Sequence, residues 1–480
     1  MLTRIRRDER GAALIVAIGV TFVVLLLSTV VVSQAIHSSE QSAYDRRRLT
    51  SVNAAEAGLN WSFNYFENTS AEALVTTPVT RPVGTAPNRS SFTVTPTFYS
   101  DAQGTIPFVG TPSSTNFPRS VRLLSVGTSD SEAPRTMESF VQLTPVYRGL
   151  TGALIANSDT TFSNNFTVNG NNGNDADVYV ITGNFTVPSG LETIRGNLFV
   201  PNGSASIGTS LHLYGEVWAS GSVTINHPQA LIDSNVKSTT GGVTVTSGAV
   251  AGNASYCTGS PPNNVAGTKT QTCALGAPPS QPFPQIKYDL SAWTALGYYE
   301  KVFSGATACT DARNWVEGSG AGTYQGGSGV PSGYTGAVVY INATCAYTNT
   351  NNSTITLGTN LGIVTNGSID LANRSNWNGS GSTRSLFFIS AYPASGSPSC
   401  PTQNITLGNN NSFNSLVQTG VYSPCTVTMN NNNSAFSGQV IGTTLSIGNN
   451  FNMTYRPVVI PGASIGQFRE DIAYIREVSS

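Results

Sequence analysis

Three patterns of apolar and polar positions follow one another along the chain. Between Arg10 and His37 no residue is charged, and Ala12 to Val32 is an apolar run broken only by Gly19, Thr21, Ser28 and Thr29. A core helix of that length keeps a polar face, and this segment has none, so it predicts a helix that crosses a membrane at about 1.5 Å per residue. Leu49, Val52, Leu59, Phe63 and Phe66 then recur at helical offsets, which predicts one apolar stripe. The first proline is Pro78. Residues 12–60 are therefore expected as one helix of roughly 70 Å, with a transmembrane span at 12–32 and a second half packed on protein.

The second pattern is short alternation. Ser91 to Thr95, Val121 to Gly127 and Ser139 to Leu143 are strand candidates. They predict a small β-rich head over residues 61–148 that covers the helix stripe, with a plain β-rich linker as the alternative.

The third pattern is an irregular repeat. Ile355-Thr356-Leu357-Gly358, Ile405-Thr406-Leu407-Gly408 and Leu445-Ser446-Ile447-Gly448 are near copies, with Val427-Thr428-Met429-Asn430 between the last two. An earlier set reads Gly-x-apolar-x-apolar: Gly183 to Val187, Gly196 to Val200, Gly215 to Ala219 and Gly221 to Ile225. Short strands with Gly and Asn corners, at about 20 residues per turn, predict a parallel β-helix. Its two parts are residues 149–250 and 336–465, about 11 rungs and roughly 50 Å long at the usual strand spacing. Asparagines stacked at the corners are expected to pair their amides from rung to rung. A jelly roll or sandwich is the rival architecture.

Residues 251–335 interrupt the repeat. Pro261, Pro262, Pro278, Pro279, Pro282 and Pro284 break regular structure, and Trp293, Tyr298, Tyr299 and Phe303 follow on an expected short helix. The segment reads as an insertion lying on the solenoid, its aromatics either a binding face or a seal. Residues 466–480 read as a C-terminal tail. The fold class is thus mainly β: a long N-terminal α-helix, membrane-spanning in its first half, a small β-rich head, then a parallel β-helix.

Composition narrows the chemistry. The 480 residues hold 24 Lys+Arg, 25 Asp+Glu and 3 His, a net charge of −1. Charged residues make up 10% of the chain, against roughly 25% in ordinary domains. Without a basic block, nucleic acid is not an expected partner. Few charges and few histidines also leave little material for acid–base or metal chemistry, and neither a cofactor nor a metal is expected. Asp175-Ala176-Asp177 is the one close carboxylate pair in the repeat blocks and reads better as a solvated turn. His212 and His227 read as turn or surface residues. No catalytic residue is assigned.

Cys257, Cys273, Cys309, Cys345, Cys400 and Cys425 all lie beyond the span. In an exported chain an even number favours disulfides. Fifteen pairings are open, and pairing of sequence neighbours is the simplest.

Arg4, Arg6, Arg7 and Arg10 precede the span, which keeps the N-terminus cytoplasmic and exports the remainder. A cleaved secretory signal is the rival, but its apolar region would be too long and no turn follows it. Glu9-Arg10-Gly11-Ala12-Ala13-Leu14-Ile15-Val16 resembles a class III (prepilin-type) signal, and Arg46-Arg47-Arg48 followed by Asn53-Ala54-Ala55-Glu56-Ala57-Gly58-Leu59 resembles the end of the N-terminal helix in PilX-type pilus assembly proteins. The resemblance covers residues 4 to 60. It implies a leader at 1–11, cleavage by prepilin peptidase between Gly11 and Ala12, and methylation of the new amine. The family's major pilins carry glutamate at the fifth mature position, where this chain has Val16. That carboxylate offsets a neighbouring subunit's ammonium, so its absence implies a minor rather than a repeating subunit.

The expected function is structural: a minor pilin-like subunit of a type IV pilus or type II secretion pseudopilus, located at the tip, with an exposed and adhesive solenoid. Its expected partners are prepilin peptidase, other pilin or pseudopilin subunits, the cytoplasmic membrane and a surface ligand. The alternatives are a membrane-anchored surface β-helix adhesin outside any filament and a carbohydrate-active β-helix enzyme.

Overall fold

The computed structural model describes residues 5–84, 90–110, 112, 117–129, 132–147, 150–162, 165–171, 173, 175–318, 329–431, 435–463 and 465–478. Arg4 and the expected boundary at 148–149 lie outside the described residues. The chain divides into two compact units, Met1–Val146 with Gln467–Ser480, and Tyr147–Gly466.

In the first unit α1 is one helix, Ile5–Glu67, 63 residues long. It outruns the expected 12–60 because Ser62 and Phe66 continue its buried face beyond Asn60. The Asn68 side-chain amide donates to the Asn64 carbonyl oxygen (2.8 Å) and closes the last turn. The first half is apolar all round: Leu14, Val16, Phe22 and Leu25 are 58–64% exposed within the chain itself. The three hydroxyls that interrupt the run bond back into the helix. Thr21 donates to the Ala17 carbonyl (2.7 Å), Ser28 to Val24 (2.7 Å) and Thr29 to Leu26 (2.8 Å). A polar group satisfied within its own helix costs little in lipid.

The second half packs differently from the expected stripe. Ser51, Ala54, Ala55, Leu59, Ser62 and Phe66 are buried, whereas Leu49 is 58% exposed and Val52 and Phe63 are half-buried. The packing face is rotated towards small residues because the sheet approaches the helix backbone closely. At Gly127 a β-carbon would collide with the Ser51 carbonyl oxygen and the Ala55 amide nitrogen. The Ala54-Ala55-x-x-Gly58 segment is therefore a contact surface, and large side chains are excluded from it by volume.

The sheet under α1 has the order β1 (Val79–Val83), β2 (Ser90–Tyr99), β3 (Ser120–Ser129), β4 (Glu132–Tyr147), then the C-terminal strand Ile465–Val478. The pairings from β1 to β4 are antiparallel. Phe92, Val94, Val121 and Leu123 point inward at alternate positions. Pro82 sits in edge strand β1, where a missing N–H is tolerated. Residues 466–480 are thus not a tail. Ile465–Val478 pairs with β4 and brings Phe468 into the core.

Among the described residues every strand pairing in the second unit is parallel, which identifies a β-helix rather than a sandwich. Each turn has three faces. Along the first face the stacking order is Tyr298–Ser304, Gly336–Asn342, Asn360–Thr365, Arg384–Ser390, Val417–Met429, Phe436–Ile447, Leu154–Ala156, Val178–Val180, Leu198–Val200, Val217–Ala219, Val236–Ser238, Ala254–Tyr256 and Lys269–Gln271. The two repeat blocks form one stack, and its stacking order is not the chain order. The chain enters in the middle, winds to one end at Gln271, returns along the outside, restarts at Tyr298 at the other end and winds back. Val440 then pairs with Leu154, closing the two blocks onto each other.

This revises the expected insertion at 251–335. Residues 254–256, 269–271 and 298–304 are rungs, and only 272–297 is the returning strap. The strap crosses the rungs in reverse order. Thr239 donates to the Gly276 carbonyl (2.9 Å), Gln281 to Thr151 (2.7 Å), Tyr422 to Pro284 (2.9 Å) and the Tyr392 amide to Ile286 (2.7 Å). Trp293, on the short helix α2 (Leu290–Ala295), lies 1% exposed edge-on to Phe387 and fills the space left by Gly362. Trp293 of the strap and Tyr298 at the start of the next rung therefore seal an outer apolar layer with Ile155, Phe199 and Ile441.

Helix α3 (Ala308–Glu317) packs Ala308, Ala312 and Val316 on the first turns of the second block. It covers apolar edges that the terminal rung would otherwise leave open.

Replacing Gly127 by Val forces α1 away from β3. We expect this substitution to lower the stability of the first unit by about 1–3 kcal/mol. The check is thermal unfolding of the full chain in detergent micelles, with Gly276→Ala as the control, since a β-carbon meets nothing within 4 Å there and the backbone is not left-handed.

Candidate functional site

The N-terminal helix is the first functional surface. The Gly11–Ala12 bond, the expected peptidase site, lies within α1, and the Ala12 side chain lies outside the described part. A window of this helix reaches a mean hydropathy of 2.9 with none of it buried inside the chain, so it is long and apolar enough to cross a membrane. Val16 is 64% exposed.

At the base of the sheet sits a charged cluster that the sequence reading did not single out. Glu138 on β4 is 2% exposed, and Arg122 of β3 donates to it at 3.0 Å. From the C-terminal strand, the Tyr474 hydroxyl donates at 2.6 Å and Arg476 at 3.2 Å. The Arg122 hydrogen bond is the largest cause that holds its carboxyl down at about 2, against the opposing effect of burial. Its own hydrogen bond to Glu138 pushes the Tyr474 hydroxyl up. This cluster ties the last strand into the sheet.

In the second unit all six cysteines are paired, each with its neighbour in sequence. The bonds are Cys257–Cys273, Cys309–Cys345 and Cys400–Cys425. Cys309 lies in α3, so its bond fastens the end cap to the turn after 336–342. Cys257–Cys273 brackets the last rung of the first block. Closing loops of this size stabilises a domain by about 3 kcal/mol each.

The titratable candidates fall into structural places. Asp177 accepts from the backbone and side-chain amides of Asn197, both at 2.8 Å, and Asn197 accepts in turn from the Glu216 amide (2.9 Å). It is one step in a corner ladder, and burial pushes its carboxyl up, with Asp175 adding to the rise. The neighbouring Asn172 and Asn174 lie outside the described residues. His212 Nε2 is 3.1 Å from both Asp233 oxygens, and its ring stacks on Tyr214 at 4.0 Å. His227 Nδ1 lies 3.4 Å from Ser210 Oγ, but Asp233 is engaged by His212, so the three do not form a catalytic triad. Among the described residues no group of three His, Cys, Asp or Glu side chains is placed to hold a metal ion.

Glu192 departs from the pattern. It occupies an inward position between Phe166 and the following rungs, and both carboxylate oxygens are buried without a hydrogen bond. Burial pushes its carboxyl up to about 7. The nearby Thr209 hydroxyl opposes this rise but does not outweigh burial.

The asparagine corner of the second block is the most regular polar feature. The Asn351 side-chain oxygen accepts from the Asn373 backbone amide (3.0 Å), Asn373 from Asn409 (2.6 Å), Asn409 from Asn431 (3.1 Å) and Asn431 from Asn449 (2.7 Å). Side chain bonds to backbone here, rather than amide to amide as expected, and the chain turns left-handed directly after the ladder position. Asn352, Arg374, Asn410 and Asn450 all have φ between 57° and 59°. Asn432 and Asn433 lie outside the described residues.

No protein-family model matches the chain, and no curated protein sequence matches it significantly. Among solved structures, the competence-associated pilin ComZ from Thermus thermophilus aligns over 89% of this chain and 97% of its own, at 15% identity and a TM-score of 0.29. An ice-binding protein from an Antarctic bacterium, Flavobacteriaceae, aligns over 64% of this chain and 81% of its own, at 12% identity and a TM-score of 0.16. Both TM-scores are below that of a shared fold.

Two carboxylates give opposite pH dependences. Glu138 has a depressed folded pKa, so its stabilisation is present above pH 4.5 and lost as the pH falls towards 2. We expect Glu138→Gln to cost the first unit about 1–3 kcal/mol at pH 7 and much less near pH 2. Glu192 has a raised folded pKa, so its contribution is intact below pH 4.5 and lost as the pH rises through 7. The second unit should therefore weaken between pH 5 and 8 by about 1–3 kcal/mol, and Glu192→Gln should flatten that slope. Urea unfolding across pH checks both, followed at Trp61 for the first unit and at the solenoid tryptophans for the second. A slope unchanged in Glu192→Gln would show that the carboxylate is not the cause.

Proposed function

We propose that this chain is a minor, pilin-like structural subunit of a type IV pilus or type II secretion pseudopilus, carrying a β-solenoid on a pilin-type stem. One observation carries the reading. A single continuous helix is apolar and uncovered through its first half, and its second half lies through Ser51, Ala54 and Ala55 on an antiparallel sheet. A helix built only as an anchor needs no small-residue docking face. A helix that leaves the bilayer as part of a rigid subunit does, because its lower half must stay straight while its upper half is held.

Processing between Gly11 and Ala12 by prepilin peptidase belongs to this proposal, as do a tip position and adhesion through the solenoid. The absence of a carboxylate at Val16 supports a low-copy role, and the bulk of the solenoid supports a place where neighbours do not crowd it. Before assembly the chain would sit in the cytoplasmic membrane with its N-terminus inside. We read it as a non-enzyme, since the charged groups described above are spent on ladders, ion pairs and core positions. The second reading, a membrane-anchored surface adhesin outside any filament, shares the span and the solenoid but needs no processing.

Mass spectrometry of the N-terminal peptide from membranes of the native host tests the choice. A peptide that begins at methylated Ala12 is the expected result. An intact Met1, or cleavage far downstream near Ser33, would reject the filament reading and leave the anchored adhesin.

A further inference from the structure

The asparagine corner is open to solvent as well as regular. The ladder asparagines, with Asn352, Arg374 and Asn410 beside them, line a surface trough of about 500 Å³. Each ladder side chain spends its oxygen on the backbone N–H of the next rung. What it presents outward is its NH₂ group, a donor with two hydrogens. The trough is therefore a row of donors repeated at the rung spacing of about 4.8 Å.

Its charge is as informative as its shape. Among the described residues Arg374 is the one charged residue in the lining, and no carboxylate lies there. A cation has no ligand in it. A polyanion needs several cationic contacts per segment, and one guanidinium does not supply them. A bilayer surface calls for apolar or clustered basic side chains, and the trough has neither. The complementary ligand is uncharged, rich in oxygen acceptors, extended, and repeats at about the rung spacing. A sugar residue in an extended β-linked chain has close to that length and offers ring, glycosidic and hydroxyl oxygens to such donors.

We propose that this corner is a binding site for a linear, neutral, β-linked polysaccharide, laid along the solenoid axis with successive sugars on successive rungs. The assignment names a ligand class for the adhesive surface in the functional reading above and rests on that reading only for its biological setting. Binding itself requires neither a filament nor N-terminal processing.

The test uses the full chain in detergent micelles and affinity electrophoresis through gels containing hydroxyethyl cellulose, with alginate as the polyanionic control. Asn373→Asp with Asn409→Asp keeps the oxygen that accepts the rung bond and replaces the donor by an acceptor, so the ladder survives and the trough is inverted. Asn352→Gly with Asn410→Gly removes outer amides at left-handed positions where glycine is unstrained. Retardation of the unaltered chain by the neutral glucan is expected, persisting in 0.5 M salt and falling at least tenfold in both variants while their melting temperatures stay within a few degrees. No retardation by the neutral glucan would overturn the proposal, as would equal retardation of the Asp variant. Retention by alginate alone, abolished by salt, would also overturn it in favour of simple charge attraction. A negative result here would leave the Ala12 peptide measurement untouched, so the two readings fail separately.

Discussion

A parallel rung cannot bury its three apolar strips alone. It needs a rung above and a rung below to accept its backbone hydrogen bonds and cover its inward side chains, and most of the second unit follows from that need. A stack wound in one direction would leave the chain's start and finish at opposite ends. Here the first rung, Leu154–Ala156, is laid down in what becomes the middle, and Phe436–Ile447 closes onto it. That order requires a segment to travel the length of the stack outside it. Residues 272–297 do so as a proline-broken strap, a form of chain that makes few rung bonds and donates few N–H groups. The outer apolar layer around Phe199, Phe387 and Tyr422 exists to hold that strap. The two ends then need covers, and they receive different ones: α3, pinned by Cys309–Cys345, at one, and the polar strand Lys269–Gln271, bracketed by Cys257–Cys273, at the other.

The first unit solves a different problem with small residues. A long helix that is apolar on all sides at one end must be rigidly held at the other, and contact area alone would be served by Leu49 or Phe63. The structure instead brings the backbone of β3 against the backbone of α1 at Gly127, and closeness excludes the larger side chains. Close backbone approach gains dispersion contacts without adding rotamer entropy to be lost. Glu138 performs the corresponding task for the sheet. It collects donors from β3 and the C-terminal strand into one buried carboxylate, so that strand completes the sheet on which the second half of α1 lies.

The corner ladders connect stability to recognition. Each bonds one side-chain oxygen to the next rung, a contribution of about 1 kcal/mol, and so fixes the register of a stack whose turns differ in length. Where the ladder residue is asparagine rather than aspartate or serine, the same arrangement leaves a donor facing water. The Asp159, Asn184 and Ser204 corner shows how interchangeable these residues are for the structural part. The run of asparagine at Asn351, Asn373, Asn409 and Asn431 is more uniform than the ladder itself demands.

Local pattern determined the elements and their class. The apolar run had no polar face to bury, so it could only be an uncovered helix. Strand–corner periodicity near twenty residues favoured stacking over a sandwich, whereas the pairing of the cysteines was one choice among fifteen until the structure placed each beside its neighbour in sequence. Tertiary structure decided whatever depended on distance between remote segments. The order of the rungs was invisible because every rung carries the same inward apolar strip and could stack on any other. The role of Ile465–Val478 was hidden because a strand's partner is not encoded in its own alternation. The true packing face of α1 was misread because hydrophobicity marks Leu49 and Phe63, while the close approach at Gly127 selects for the absence of side chain. Glu138 and Glu192 looked alike in sequence. Only the surroundings, three donors for one and none for the other, separate a carboxyl held near 2 from one pushed towards 7.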